Sequence, residues 1–319
     1  MRGHALTNSA SRLPGSQEAP ESWISPRRGT RSGAGWLASV TPDVVDEFLA
    51  GLSGGALLAL PWMFEFWALP HQLPPEGAWK TWVIMGGRGA GKTRAGAEWV
   101  RAQVEGARPA DPGRARRVAL VGETVDQVRE VMVFGESGIL ACSPPDRRPV
   151  WEATRKRLVW PNGAVAQVFS AHEPEALRGP QFDAAWVDEL AKWKKAEETW
   201  DQLQFALRLG AHPQQVVTTT PRNVAVLKAI LNNPSSVLTH APTDANRAHL
   251  AASFLEEVQA RYGGTRAGRQ DEAGRQHDFS TGTRQPWIDA RVGSHHFRIA
   301  QVVGRAEVGE GVFVLGLDH

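Results

Sequence analysis

The octet Gly86-Gly87-Arg88-Gly89-Ala90-Gly91-Lys92-Thr93 has the spacing G-x-x-x-x-G-K-T of a phosphate-binding loop. Glycines let backbone N–H groups curl around an anion, and the amino end of a following helix adds positive potential. At this spacing Lys92 reaches the β- and γ-phosphates of a nucleotide, and Thr93 offers a hydroxyl to Mg²⁺. The competing reading is a glycine-rich turn that happens to precede Lys-Thr. The β-like run Trp82–Met85 before the octet and the helix formers after it favour phosphate binding.

A second group is Asp188-Glu189, which ends the apolar run Ala184-Ala185-Trp186-Val187. Asp188, at a strand end, suits Mg²⁺, and Glu189 suits orientation of an attacking water. An Asp-Glu pair at a strand terminus is also a common helix N-cap with its first-turn acid. Asp183, which starts the strand, reads as structural. A third group is Thr218-Thr219-Thr220, where a β-branched run meets Pro221 and Arg222. Hydroxyls there can sense the γ-phosphate, although threonine is also simply a good strand residue. Arg178, in Leu177-Arg178-Gly179-Pro180, is placed to neutralise transition-state charge in cis or on a neighbouring subunit, against the ordinary reading of a solvated arginine. Gln72, upstream of the first strand, can read an adenine edge, or be an exposed loop amide.

These groups need a scaffold, and the chain supplies one in alternating β-like and helical runs, the pattern of βαβ units on a mostly parallel sheet. The expected strands are Thr81–Met85, Arg117–Val121, Ala184–Val187, Gln215–Thr219 and Val237–His240. The expected helices are Lys92–Val104, Val125–Val133, Ala196–Leu209, Val224–Asn232 and Leu250–Arg261. Pro161-Asn162-Gly163 predicts a hairpin between Arg157–Trp160 and Ala164–Ser170. Upstream, Pro42 and Asp43 open a helix over Val44–Leu52, and a second, rich in Trp and Phe, runs to about Leu69. Residues 1–35 read as a disordered lead-in, 36–270 as the α/β domain and 271–319 as a divergent tail.

Composition bounds the partners. With 36 Lys+Arg against 34 Asp+Glu, any grip on nucleic acid must be local. Candidate basic clusters are Arg114–Arg117 and Arg147, Arg148, Arg155, Lys156 and Arg157, which charge runs alone equally explain as solvated faces. The single cysteine, Cys142, precludes an internal disulfide and suits a reducing, cytoplasmic compartment. The histidines show no metal-ligand spacing. Ala50–Pro70 is apolar, but Glu65, Pro61 and Gly54-Gly55 argue against a membrane span.

Gln72, Gly86–Trp99, Leu177–Pro180, Trp186–Trp193 and Thr218–Arg222 together resemble the ATPase domain of large terminase subunits, most closely the branch of tailed-phage prophages and gene transfer agents. The resemblance covers about residues 40–270. It implies an ASCE-type P-loop NTPase fold and a motor that uses ATP and Mg²⁺ to drive double-stranded DNA into a preformed capsid, in a homo-oligomeric ring at the portal and with a small terminase subunit as partner. It carries Lys92 and Thr93 onto the phosphate loop, Asp188 and Glu189 onto the Mg²⁺ and water-activating acids, and Thr218–Thr220 onto the coupling motif. Arg178 matches an arginine that acts in trans in some members, and Gln72 the adenine-contacting segment. Full-length members continue into an RNase H-like nuclease, whose acids have no counterpart in 271–319; the expectation is a truncated or frameshifted chain without nuclease activity. Two alternatives stand beside this reading: a helicase-like translocase, and a catalytically silent prophage remnant.

Overall fold

The strand at the centre of the expected site, β1 (Thr81–Gly86), is buried along its whole length, as befits a parallel strand covered on both faces. It belongs to a computed structural model that describes residues 32–241. Seven further strands join it among the described residues: β2 (Arg117–Gly122), β3 (Val150–Glu152), β4 (Arg157–Val159), β5 (Val165–Ser170), β6 (Ala184–Asp188), β7 (Gln214–Thr219) and β8 (Ser236–Ala241). Their order in the sheet is β3-β4-β5-β2-β6-β7-β1-β8. The run from β5 to β8 is parallel, and only β4 pairs antiparallel with its neighbours β3 and β5. The fold is therefore the expected α/β class.

Among the described residues the α-helices, in chain order, are α1 (Gly33–Leu37), α2 (Pro42–Ala50), α3 (Gly54–Ala59), α4 (Phe64–Trp67), α5 (Lys92–Val104), α6 (Val125–Gln127), which runs on as a π-helix over Val128–Val133, α7 (Ile139–Cys142), α8 (Ala196–Ala206) and α9 (Ala225–Leu231). On one face of the sheet Trp82, Ile84, Trp186 and Val216 pack with Ala95, Trp99, Val100 and Val104 of α5. On the other, Val83, Val187 and Val217 pack with Leu203 and Ala206 of α8 and Val226, Leu227 and Ile230 of α9. At about 25 cal/mol per Å² of apolar surface removed from water, these two layers supply the main drive to fold. The N-terminal helices close over their own smaller cluster of Leu37, Val45, Leu60 and Phe66.

Several boundaries differ from expectation. Residues 32–35, expected within the lead-in, are ordered: Ser32 caps α1 by accepting from the Gly35 N–H at 3.0 Å, and Leu37 is fully buried; residues 1–31 lie outside the described residues. The Trp-rich and Phe-rich helix breaks into α3, a 3₁₀ turn Leu60–Trp62 and α4, because Pro61 lacks an N–H and Met63 leaves the helical region at ψ 84°. Among the described residues no single helix is long and apolar enough to cross a membrane, and the pair Pro42–Ala50 and Gly54–Trp62 is bent by 113°. Helix α8 stops at Ala206, short of Leu209, because the Arg208 and Leu209 N–H groups turn to the Phe182 carbonyl at 3.1 and 3.0 Å. The edge strand β3 and the single turn α7 went unpredicted, being too short to show a period. The expected helix Leu250–Arg261 and the tail 271–319 lie outside the described residues.

Candidate functional site

β1 ends at Gly86 and α5 begins at Lys92, so the glycine-rich octet forms the turn between them. Gly89 and Gly91 hold φ of 75° and 73°, a region cheap only for glycine, and this curls the chain around the amino end of α5. Lys92 is buried, and its Nζ donates to the Gly86 and Gly87 carbonyls at 2.9 and 2.7 Å, which holds the ammonium across the loop. Thr93 occupies the first turn of α5, and Arg88 is exposed at the loop's tip.

Asp188 closes β6 in register with Thr218 of β7, while Thr219 faces Met85 of β1. Strand β7 thus lies between the strand that leads into the phosphate loop and the strand that ends in the acids. Each threonine holds a different part of the acidic turn. Thr218 Oγ1 donates to Asp188 Oδ1 at 2.7 Å, Thr219 Oγ1 accepts from the Ala191 N–H at 3.3 Å, and Thr220 Oγ1 donates to the Glu189 carboxylate. Thr218 Oγ1 also accepts from Trp186 Nε1 at 2.8 Å, so the indole fixes the hydroxyl that fixes the carboxylate.

Glu189 adopts φ 55°, a left-handed conformation that is strained for a non-glycine residue. Its N–H donates to the Thr218 carbonyl at 2.6 Å, and Lys192 Nζ lies 3.3 Å from its Oε2. The left-handed turn takes the chain off the path of β6 at the point where the strand ends. In place of the alternative arrangement, with Asp188 as N-cap and Glu189 in the first turn, Asp188 accepts from Thr218 and Glu189 itself stands at the cap position of a 3₁₀ turn, with no side-chain cap bond there. Burial pushes the Asp188 carboxyl up to about 6; the Thr218 hydrogen bond opposes the shift, Glu189 adds to it, and the Lys92 ammonium opposes it. Lys92 and Asp188 therefore lie within each other's electrostatic reach. A carboxylate desolvated in this way, with the hydroxyl of Thr93 as a second hard oxygen donor, fits Mg²⁺, which takes few protein ligands and completes its shell with phosphate and water. Among the described residues no group of three or more His, Cys, Asp or Glu could hold a metal ion.

The remaining expected residues fall in different places. Gln72 is buried, not an exposed amide: its Oε1 accepts from the Leu69 N–H at 2.8 Å and its Nε2 donates to the Gly91 carbonyl at 3.1 Å, against the phosphate loop. Arg178 is 74% exposed, paired with Glu175 at 3.0 Å, and no hydrogen bond or ion pair joins it to the loop or the acids. Asp183 is structural, its Oδ2 accepting from the Arg116 and Arg117 N–H groups at 2.8 Å each. Much of the basic clusters is likewise engaged internally: Arg147 donates to the Gly106 and Ala107 carbonyls, Arg148 to the Ser143 carbonyl, and Arg157 pairs with Glu152.

Two site residues escaped sequence reasoning. His71 Nε2 lies 2.8 Å from the Ala90 carbonyl oxygen, and its position beside Gln72 was the available signal. Trp186 read only as an apolar strand residue, since nothing in a sequence shows where an indole N–H points.

The profile for "Terminase large subunit, T4likevirus-type, N-terminal" matches residues 83–282, more than half of the chain. The chain belongs to the terminase large subunit family. The match on this terminase chain begins inside β1, after Gln72, and runs beyond Gln270. Similar solved structures include the large terminase ATPase domain of Thermus phage P74-26, at 17% identity and TM-score 0.44, covering 62% of this chain and 89% of that one. The large terminase of a thermophilic bacteriophage, solved in complex with ADP, is 16% identical at TM-score 0.47 over 65% of this chain and 48% of that one. The HK97 bacteriophage large terminase is 18% identical at TM-score 0.38 over 63% and 44%. The terminase chain thus spans about half the length of the latter two. No curated protein sequence matches it.

Proposed function

We propose that this chain is the ATP-hydrolysing motor of a DNA-packaging terminase, moving double-stranded DNA into a preformed capsid. The observation that carries the reading is the pair of bonds from the end of β7 and the residue just after it to the two acids, Thr218 to Asp188 and Thr220 to Glu189, beside an intact phosphate loop. ATP sits with its phosphates on the N–H groups of residues 86–93, and Lys92 leaves the loop carbonyls to meet the β- and γ-phosphates. Thr93 and Asp188 would hold Mg²⁺, which would supply charge neutralisation at the phosphates. Glu189 orients a water whose oxygen attacks the γ-phosphorus in line. The bond to the bridging oxygen breaks, ADP leaves, and the water's proton passes to Glu189 or the departing phosphate.

Gln72 keeps one N–H and one lone pair beyond those it uses internally, which is what contact with an adenine edge requires. Arg178, exposed and held only by a surface pair, serves the nucleotide of the neighbouring subunit in a homo-oligomeric ring. Thr218–Thr220 carry the change at the γ-phosphate into the sheet. The portal of the procapsid and a small terminase subunit are the assembly partners, and the bacterial host cytoplasm is the place of action. Steady-state ATP hydrolysis with and without double-stranded DNA, beside Glu189→Gln, tests the reading. DNA-stimulated turnover that the substitution abolishes is expected. Equal turnover in both proteins overturns the assignment of Glu189, and failure to bind ATP overturns the motor.

A further inference from the structure

The 3₁₀ turn Pro70–Gln72 lies outside the phosphate loop in sequence, yet grips two of its successive carbonyls. His71 Nε2 meets the Ala90 oxygen at 2.8 Å, and Gln72 Nε2 donates to the Gly91 oxygen at 3.1 Å. The Gln72 amide cannot flip, because its Oε1 is fixed by the Leu69 N–H. A carbonyl can only accept, so Nε2 of His71 carries the proton. Burial pushes the His71 pKa down to about 4, with His240 and Lys92 adding to the shift and the Ala90 hydrogen bond opposing it. The ring is therefore neutral in neutral solution, and its one N–H is the one committed to Ala90.

A trans peptide is planar, with its C=O and N–H antiparallel. Pulling the Ala90 carbonyl toward the turn therefore aims the Gly91 N–H the opposite way; the Gly91 carbonyl also accepts from the Ala95 N–H at 3.1 Å, so the Lys92 N–H is already aimed by the first bond of α5 and Gln72 only adds to it. Those N–H groups stand at the amino end of α5, where a helix leaves its donors without intrahelical partners and where an anion binds. The loop has little stiffness of its own, since Gly87, Gly89 and Gly91 each lose backbone entropy when ordered.

We propose that His71 is a positioning residue for the nucleotide's phosphates: it sets the Ala90–Gly91 peptide plane of the loop before the ligand arrives. The inference rests on the nucleotide-binding reading above. Preorganisation of this kind acts on affinity more than on the chemical step. Replacing His71 by Leu, which fills similar space without a donor, raises KM and Kd for ATP by roughly 5- to 20-fold with kcat close to native. His71→Gln, whose Nε2 reaches the place of the imidazole Nε2, restores native affinity. Should His71→Leu fail to fold, His71→Asn, whose amide is too short to reach Ala90, takes its place with the same expectation. Thermal midpoints are measured on every variant. A folded, donor-less variant that binds ATP with native Kd overturns the inference, as does a folded His71→Gln that is no better than His71→Leu. Native protein that binds no ATP removes the nucleotide reading itself.

Discussion

Thr220 Oγ1 lies 3.1 and 3.0 Å from the two carboxylate oxygens of Glu189, so one hydroxyl straddles the acid just beyond β6. Thr220→Val deletes this donor and leaves the carboxylate its partly exposed pair with Lys192. A hydrogen bond to a charged group is worth about 1.5–3 kcal/mol. We expect kcat for ATP to fall by roughly tenfold or more with KM unchanged, and Glu189→Gln to cost about 10²–10⁴-fold. Steady-state kinetics on both variants checks this; a fall in KM alone speaks against it.

Lys92→Ala removes the ammonium that bridges the Gly86 and Gly87 carbonyls. ATP titration of this variant is expected to show no saturable binding, while circular dichroism retains the native spectrum. Saturation at native concentrations would exclude Lys92 from the phosphate site.

Gly96, on the face of α5 toward the sheet, has no room for a side chain: a Cβ there would lie 2.3 Å from Trp186 Cε2. Helix propensity alone favours Ala over Gly by about 1 kcal/mol. The indole cannot yield, since it is fully buried and tied to Thr218, so overpacking of about 1–3 kcal/mol wins. Gly96→Ala should lower the urea midpoint; a rise would show that the contact relaxes freely.

Cys142 is fully buried beside Arg94, Glu98 and Arg101, and burial pushes its thiol up to about 12. The unfolded chain loses this proton near the ordinary cysteine pKa and the folded chain does not, so above that value the folded state binds more protons. Stability is full below pH ~8.5 and falls as pH rises toward 12, by at most about 1.4 kcal/mol per pH unit. Urea unfolding at pH 8 and pH 10 should show the loss, reduced in Cys142→Ala. An unchanged pH slope in that variant would assign the loss to other groups.

Arg178 and Glu175 are both mostly exposed, and such a pair is worth about 0–1 kcal/mol, so the guanidinium is easily released. Arg178→Ala should leave turnover of the dilute chain unchanged and remove the rise in specific activity that accompanies assembly. Loss of equal size at every protein concentration would place the arginine in its own subunit's site.

Much of this was legible in the sequence because it is local. The octet 86–93 and the helix Lys92–Val104 follow from glycine geometry and apolar spacing, and the βαβ alternation announced the parallel sheet. What stayed hidden is lateral. The bonds from Trp186 to Thr218 and from His71 to Ala90 join residues 32 and 19 positions apart, and neither leaves a periodic trace. Glu189 was visible as an acid at a strand end, but not as a strained one. Gln72 was legible as a residue upstream of the loop, though burial and two backbone partners were beyond inference from its type.

Because β7 is the shared neighbour of β1 and β6, the motor proposed above would have its nucleotide grip and its cleavage wired in series through one strand. The spacing between adjacent strands is about 4.8 Å, so in that motor news of a lost γ-phosphate has one strand to cross. Damage to that strand will not sort neatly into binding and turnover defects. A Thr218 variant will read as weak metal affinity although it touches no metal, and pairing it with a Thr220 variant should cost less than the two losses summed.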